Sequence, residues 1–259
     1  MKLEAMGITV KVGDAVLVSN ASLSVNPGEL VGLVGPNGAG KTTLLKAIVG
    51  VRRHDGGAVV IDGRPIDEFS ANERARRLAF LPQERRIEWR LPSRDVVMLG
   101  RHPHRSSFGG PSAADRSAVG DALAKVDAMS IQHRPAAVLS AGEKARILLA
   151  RALAVQAPIF LADEPIAALD PYHQLHVMEV LREEARAGRG VLVVLHDLML
   201  ASRFMDRLVL MHEGRIIAGG KPAEVLSDER LRTVYRIDAL RGEHAGTPWL
   251  SPWSRFGSA

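Results

Sequence analysis

Residues 35–43 combine the residue types and the spacing that phosphate binding requires. The segment reads Gly-Pro-Asn-Gly-Ala-Gly-Lys-Thr-Thr and fits the pattern G-x-x-x-x-G-K-[ST]. Glycines let the backbone curl so that its N–H groups converge on phosphate oxygens. Lys41 adds a flexible positive charge for the outer phosphates, and the Thr42 hydroxyl is placed to bind Mg²⁺. The candidate phosphate-binding residues are Gly35, Pro36, Asn37, Gly38, Ala39, Gly40, Lys41, Thr42 and Thr43.

The sequence on either side of this loop predicts the strand and the helix that would position it. Residues 30–34, Leu-Val-Gly-Leu-Val, indicate a short buried strand. Residues 43–49 indicate a helix that ends at Gly50. A helix that begins near Lys41 directs the positive end of its dipole at the same anion. A glycine-rich turn with a surface lysine is the alternative, and it fits this context poorly.

The composition is ordinary for a globular protein and narrows the classes of partner. The formal net charge is +5, from 34 basic and 29 acidic residues, and the basic excess is spread through arginine-rich helices. We therefore expect no nucleic-acid partner, while a mildly basic surface suits work near an anionic membrane face. The 259 residues include no cysteine, no signal-peptide layout in residues 1–25 and no apolar stretch as long as a membrane span. Any action at a membrane should therefore go through a partner.

The order of the predicted elements indicates an α/β core that is interrupted once. Residues 1–33 alternate and predict strands joined by turns. Residues 84–155 have helical periodicity and predict a helical lobe inserted into the core. The core then resumes with a strand over 158–164, a helix over 171–187, a strand over 190–195, a helix over 198–205, a hairpin over 206–218 and a helix over 222–240.

Five further segments, in this order and at this spacing, resemble the motifs of ATP-binding-cassette (ABC) ATPases. The phosphate loop fits that family without change, and the resemblance covers about residues 3–240. The matching segments are Gln83 for the Q-loop glutamine, Leu139–Glu143 for the signature loop, Ile159–Asp163 with Glu164 for the Walker B strand, Ala167–Asp170 for the D-loop and His196 for the switch histidine.

The resemblance implies a role for each polar residue. Asp163 ends a buried strand, where an unpartnered carboxylate is costly, and binding to Mg²⁺ resolves this. Glu164 would polarise or deprotonate the water that attacks the γ-phosphorus. His196 alone would more often be a hydrogen-bonded core histidine, but beside these motifs we expect it to contact the γ-phosphate. Gln83 is expected to contact Mg²⁺ and the attacking water, while its loop meets a transmembrane partner.

The signature residues imply a dimer. Ser140, Ala141, Gly142 and Glu143 open a helix, and a helix N-terminus binds anions. In this family that end serves the ATP bound to the opposite subunit, so two copies with C2 symmetry would sandwich two nucleotides, with Asp170 also placed at the nucleotide. Hydrolysis would remove the bridge between the copies, and their opening and closing would move membrane subunits.

Two positions depart from the family pattern. Ala141 replaces the first glycine of the signature, and its methyl group is tolerated only if its φ is negative. An aromatic residue that stacks on adenine is expected near residues 11–13, where our alignment places Val12. An apolar contact replaces stacking at a loss of roughly 1 kcal/mol. Neither change removes a catalytic group, so we still predict ATP hydrolysis.

Some segments indicate a subgroup of importers. Residues 99–104 and 112–116 resemble the helical lobe of ATPases that serve iron–siderophore, haem and cobalamin importers. Residues 169–175 and 196–201 resemble the same subgroup. Glu88-Trp89, followed by residues 94–100, resembles the ATPases of manganese and zinc importers, which remain an alternative. The transported molecule does not touch this subunit in such systems.

Other classes fit less well. A DNA-repair or chromosome-organising ATPase would separate the phosphate loop from the signature by a long coiled coil, and here only about 100 residues without heptads intervene. A translation-associated ABC protein would carry two cassettes. A GTPase would carry an Asn-Lys-x-Asp segment. A weakly hydrolysing regulatory subunit remains an alternative because of Ala141 and Val12, although Lys41, Asp163 and Glu164 are intact.

We therefore predict one α/β domain of the P-loop NTPase (ABC ATPase) class over residues 1–240. It has an N-terminal antiparallel β region, a core of residues 1–83 and 156–240, and an inserted helical lobe over 84–155. Residues 241–259 are predicted to be an irregular tail. The predicted activity is Mg²⁺-dependent ATP hydrolysis at the cytoplasmic face of the cell membrane. The predicted partners are a second copy, an integral membrane permease dimer and, indirectly, a periplasmic or extracellular substrate-binding protein.

Overall fold

The computed structural model of the chain describes residues 1–84, 87, 90–105 and 110–257. The strands are β1 (Leu3–Val12), β2 (Ala15–Val25), β3 (Leu30–Val34), β4 (Gly56–Ile61), β5 (Arg64–Pro65), β6 (Leu78–Leu81), β7 (Ile159–Asp163), β8 (Gly190–Val194), β9 (Arg207–His212), β10 (Arg215–Gly220), β11 (Ile237–His244) and β12 (Thr247–Arg255). The helices are α1 (Lys41–Ile48), α2 (Ala71–Arg77), α3 (Ser93–Met98), α4 (Ala113–Lys125), α5 (Ala141–Ala154), α6 (Pro171–Arg186), α7 (Leu198–Phe204), α8 (Pro222–Val225) and α9 (Asp228–Arg230).

A six-stranded sheet in the order β10-β9-β3-β8-β7-β6 forms the centre of the molecule. Strands β3, β6, β7, β8 and β9 run parallel, and β10 pairs antiparallel with β9. Every residue of β3, β7 and β8 is buried, as expected for strands covered by helices on both faces. Because these three strands are parallel, the polar residues at their carboxyl ends meet at one edge of the sheet.

A second, antiparallel sheet covers one side of this core. Its order is β2-β1-β4-β5, and its apolar residues pack with α1 and with one face of the central sheet. The alternation of residues 1–33 correctly predicted these antiparallel strands. The fold is therefore the P-loop α/β class with an N-terminal antiparallel β region.

The segment between β6 and β7 is helical in its described residues. It holds α3, α4 and α5, joined by short 3₁₀ turns, and these helices pack on one another. Ser112 begins α4 with a capping box in which its hydroxyl accepts a hydrogen bond from the Asp115 N–H. Among the described helices, none combines the length and the apolarity that a membrane crossing needs.

One buried ion pair fixes the end of α5 to the rest of this helical segment. Arg101 donates from Nε to Asp115 Oδ1 at 2.9 Å, and both side chains are buried. The Arg101 Nη1 also donates to the Ala154 carbonyl at 2.8 Å, where α5 ends. Gly100 allows this approach, because an added Cβ would lie 2.1 Å from the Arg151 carbonyl oxygen. The Gly100-Arg101 pair in the sequence is thus explained by helix packing.

The C-terminal residues form neither the helix predicted over 222–240 nor the irregular tail predicted over 241–259. Residues 222–240 are not one helix: α8 and α9 are short, a π-helical turn covers Leu231–Tyr235, and Arg236 ends it with φ of 58°. The tail over 241–259 is not irregular, since β11 and β12 pair as a hairpin.

The physical reason for the hairpin lies in its turn and its edges. Ala245 and Gly246 both have positive φ, which suits a two-residue turn, but Ala-Gly is a weaker sequence signal than Asn-Gly. Pro248 and Pro252 are tolerated because both strands of a two-stranded sheet are edge strands. Trp249 is half-buried, whereas Trp253 is 72% exposed.

We expect Arg101→Met to lower the free energy of unfolding by about 3–5 kcal/mol, because it leaves the Asp115 carboxylate buried without its partner. Hydrogen bonds from Arg101 and Ser112 lower the pKa of Asp115 to about 2, below its ordinary 3.8. A depressed carboxyl pKa stabilises the fold above about pH 4, and this contribution disappears as the pH falls toward 2. Urea unfolding at several pH values measures both effects.

The control is Arg64→Met, which breaks an exposed pair with Glu68 and should cost less than about 1 kcal/mol. An Arg101→Met loss no larger than that of the control, or an unchanged slope of stability between pH 4 and 2, would contradict the assignment.

Candidate nucleotide-binding site

The phosphate loop connects β3 to α1 at the carboxyl edge of the central sheet. Gly40 is the N-cap of α1 with φ of 98°, and an added Cβ there would lie 2.7 Å from the Leu17 carbonyl oxygen. At Gly35 an added Cβ would lie 2.2 Å from the Met211 carbonyl oxygen. The two glycines therefore let the loop press against β2 and β9, which fixes its curvature.

Lys41 is buried in the loop that it follows. Its Nζ donates to the carbonyl oxygens of Gly35 at 2.7 Å and Pro36 at 2.9 Å. Burial lowers the pKa of Lys41, and the nearby Glu164 and Asp163 carboxylates partly oppose this shift. The ammonium group is thus held within the loop, next to two acidic residues.

Asp163 lies at the end of β7 and is completely buried. Its Oδ1 accepts a hydrogen bond from the Thr42 hydroxyl at 3.2 Å, while its buried Oδ2 has no hydrogen-bond partner in the described part of the chain. Burial raises the pKa of Asp163, and the Thr42 hydrogen bond acts against that rise. A hydroxyl and a carboxylate with one unsatisfied oxygen are ligands that Mg²⁺ prefers, so these two residues fit the predicted metal.

Glu164 and His196 are in direct contact. His196 Nε2 donates to Glu164 Oε1 at 2.5 Å, across the carboxyl ends of β7 and β8. The Glu164 backbone has φ of 52°, a left-handed conformation that is costly for a non-glycine residue and is concentrated at functional sites. The Glu164 N–H donates to the Val194 carbonyl at 3.2 Å, which ties the turn to β8. The histidine predicted to contact phosphate thus lies against the predicted base.

These groups line one cavity of about 590 Å³. Gln83, which follows β6, also lines this cavity. The lining residues are Val16, Leu17, Asn37, Gly38, Ala39, Gly40, Lys41, Thr42, Thr43, Gln83, Glu164, His196, Glu213 and Gly214. Three of the predicted site residues are not in this lining but form hydrogen bonds with residues that are. Gly35 and Pro36 accept from Lys41, and Asp163 accepts from Thr42.

The apolar wall of the cavity differs from the sequence expectation. Val12 is the last residue of β1, is half-exposed and is not among the lining residues. The wall is formed by Val16 and Leu17 of β2, which follow the turn after Val12. Sequence reasoning missed these two residues, because the adenine contact was expected near residues 11–13 and no local pattern marks Val16 or Leu17 as cavity residues.

Glu213 and Gly214 also line the cavity, although the sequence marked them only as a hairpin turn. The Gly214 N–H donates to the Ala39 carbonyl at 3.1 Å, and the Gly214 carbonyl accepts from the Ser19 N–H at 2.8 Å. The turn between β9 and β10 therefore joins the phosphate loop to β2. A pairing of this kind across the chain leaves no local pattern in the sequence.

The signature residues do not line this cavity. Ser140 is the N-cap of α5 and forms a capping box with Glu143, whose side chain accepts from the Ser140 N–H at 2.8 Å. Ala141 is the first residue of α5 and is not among the described residues with positive φ, so its methyl group is tolerated. Gly142 lies beside the 167–170 segment, since an added Cβ would be 3.6 Å from Leu169 Cδ2.

Asp170 is also outside the cavity lining. It is the N-cap of α6 and accepts from the His173 N–H at 3.0 Å, and its second carboxylate oxygen contacts His173 Nδ1 at 2.7 Å. The N-terminus of α5 and the 167–170 segment thus form a separate surface from the phosphate loop of the same chain.

Many known proteins are similar to this chain in sequence. The chain matches the ABC transporter family over residues 18–167. It is 44% identical over 231 residues to the hemin import ATP-binding protein HmuV of Streptomyces coelicolor, a match that covers 89% of this chain and 82% of that protein. It is 39% identical over 248 residues to the cobalamin import ATP-binding protein BtuD of Halobacterium salinarum, covering 95% of this chain and 62% of that protein.

A solved structure gives the same fold. A dimeric ATP-binding cassette in a post-hydrolysis state, bound to ADP and Pi, has a TM-score of 0.75 and 27% identity over 85% of this chain and 98% of that chain. The family match spans more than half of the chain and includes the phosphate loop and both carboxylates. The chain therefore belongs to the ABC transporter family and is an ATPase in which ATP hydrolysis is coupled to transport.

Proposed function

We propose that the chain is the ATP-hydrolysing subunit of an importer for an iron chelate, either a siderophore complex or haem, or for cobalamin. The observation that carries the catalytic part is the convergence of Lys41, Thr42, Asp163, Glu164 and His196 at one cavity edge. The importer part is supported by relatives at about 40% identity that are named for hemin and cobalamin import.

The phosphate loop and α1 bind the triphosphate in this proposal. Backbone N–H groups at the start of α1 carry the positive end of the helix dipole and hydrogen-bond phosphate oxygens. Lys41 exchanges its contacts with the Gly35 and Pro36 carbonyls for the outer phosphates, which removes the cost of its burial. The adenine ring of ATP then lies against Val16 and Leu17, where the sequence analysis had expected Val12.

Thr42, Asp163 and Gln83 are the residues proposed to hold Mg²⁺. When bound there, Mg²⁺ neutralises charge on the phosphate oxygens. The chain's own contribution is to orient Asp163 through the Thr42 hydroxyl and to exclude water from the end of β7.

Glu164 is the proposed general base. Its carboxylate accepts the proton of the attacking water, and the hydrogen bond from His196 fixes its direction. His196 is exposed enough to reach a phosphate oxygen as well, so it can act on both groups. Gln83, which also lines the cavity, orients the water.

The signature residues act in a second copy in this proposal. Ser140, Ala141, Gly142 and Glu143 present a helix N-terminus away from the cavity of their own chain. An ATP bound to one copy and contacted by α5 of the other would make two identical sites related by C2 symmetry. The dimeric cassette structure described above supports such an assembly.

The remaining proposed partners lie at the membrane. We place the subunit at the cytoplasmic face of the cell membrane, attached to a separate permease dimer and, through it, coupled to an external substrate-binding protein. The Glu88-Trp89 pair that resembles manganese and zinc importers lies outside the described residues, so the structure adds nothing to that alternative. The intact set of catalytic groups gives no support to a weakly hydrolysing regulatory subunit.

We expect Glu164→Gln to retain ATP binding and to lower kcat by about 10²–10⁴-fold, because the amide cannot accept the proton. Phosphate release measures the rate, and small-angle scattering with saturating MgATP should show an accumulated dimer. Glu179→Gln, an exposed change on α6, is the matched control. Hydrolysis by Glu164→Gln at the wild-type rate would show that another group is the base.

The dimer can be tested by cross-linking, since the chain has no cysteine. In a Glu164→Gln background, we expect Asn37→Cys and Ser140→Cys to be joined by a short bis-maleimide between two chains, and only with MgATP. Asn37→Cys with Ser227→Cys, at the start of α9, is the control and should give no ATP-dependent product. A product within single chains, or one that forms equally without ATP, would exclude the proposed sandwich.

A test of the substrate requires the membrane permease with which this subunit is proposed to work. We expect vesicles that contain the permease, the binding protein and this subunit to accumulate haem, a ferric siderophore or cobalamin with ATP, and to fail with the Glu164→Gln subunit. Uptake of radiolabelled manganese or zinc instead would favour the alternative importer class and refute the chelate assignment.

A further inference from the structure

A second cavity, of about 380 Å³, lies at the other end of α7 from His196. Its walls come from the end of α7, the start of α8 and strand β12. None of its lining residues lines the nucleotide cavity. The volume falls in the range of about 300–1,000 Å³ that small-molecule sites have.

The walls are apolar and are anchored in the core. Met205, Leu226 and Leu250 line the cavity and are each at most 4% exposed, and all three belong to the main hydrophobic cluster. Trp249 adds an aromatic ring and is held in the β11–β12 hairpin opposite Gly242. Apolar walls that include an aromatic ring favour an apolar ligand with a ring system of its own.

The polar residues at this cavity are mainly cationic. Arg203, Lys221 and Arg241 line it, with Asp206 as the single carboxylate among the lining residues. Asp206 already accepts a hydrogen bond from the Leu30 N–H at 2.8 Å, and Arg241 is paired with Asp228 at 2.8 Å.

Arg203 and Lys221, unlike Arg241, are not paired with a carboxylate among the described residues. Within the described ranges, neither has a carboxylate within 4.0 Å. Two cations beside an apolar cavity provide charge complementarity for one anionic group.

We propose that this cavity binds a small planar apolar molecule that carries one anionic group. The apolar walls would cover its ring system, and Arg203 and Lys221 would pair with its anion. The proposal concerns residues outside the nucleotide cavity and does not depend on the proposed transport function, because binding is measured without hydrolysis.

The probe is 8-anilinonaphthalene-1-sulfonate, whose linked aromatic rings carry one sulfonate. With saturating ADP present to occupy the nucleotide cavity, we expect a saturable rise in its fluorescence with one site per chain. Ala223→Phe should remove most of this rise by filling the cavity, since Ala223 is an exposed lining residue. Lys221→Glu and Arg203→Glu should each raise the Kd about tenfold by replacing attraction with repulsion.

Arg53→Glu, an exposed charge reversal outside both cavities, is the matched control and should leave the Kd unchanged. Circular dichroism and ADP affinity verify the fold of each variant, and if Ala223→Phe does not fold, the two charge reversals decide. Binding that is unaffected by Lys221→Glu and Arg203→Glu, that persists in a folded Ala223→Phe protein, or that is displaced by ADP would overturn the proposal.

Discussion

The site is dominated by charge that is buried and incompletely paired. Lys41 is held against two backbone carbonyls, and Asp163 is fully buried with one carboxylate oxygen that has no partner among the described residues. Burial of this kind shifts each pKa toward the neutral form, and the two groups oppose this only in part. A triphosphate with its cation satisfies both groups at once, so the same desolvation that weakens the isolated charges strengthens their hold on the ligand.

The strands and loops that carry these charged groups are fixed by strand pairing and by close contacts with one another. The parallel pairing of β3, β7 and β8 places the phosphate loop, the two acidic residues and His196 at one edge. Close contacts of the loop with β2 and with the turn at Gly214 then fix its shape. Further away, Arg101 fixes the C-terminal end of α5, the helix whose beginning carries the signature residues.

The C-terminal hairpin extends this arrangement to the far side of the core. Strand β12 packs against α7, and α7 begins at the residue after Asp197, immediately beyond His196. The hairpin buries Leu250 and creates the second cavity beside Trp249. One short helix therefore lies between the nucleotide cavity and a pocket of different chemistry, the first polar and the second apolar with a cationic edge.

Sequence alone determined the parts of this protein that depend on local residue types. The phosphate loop and the apolar runs of β3, β7 and β8 are short-range patterns that predicted the α/β fold class. The candidate catalytic residues came from the resemblance of short segments to the motifs of ABC ATPases. Tertiary structure alone decided which residues lie across from one another. Val16 and Leu17 line the cavity where Val12 was expected, and the β11–β12 hairpin formed where the end of a helix and an irregular tail were predicted, because strand pairing and burial join residues that no local period connects.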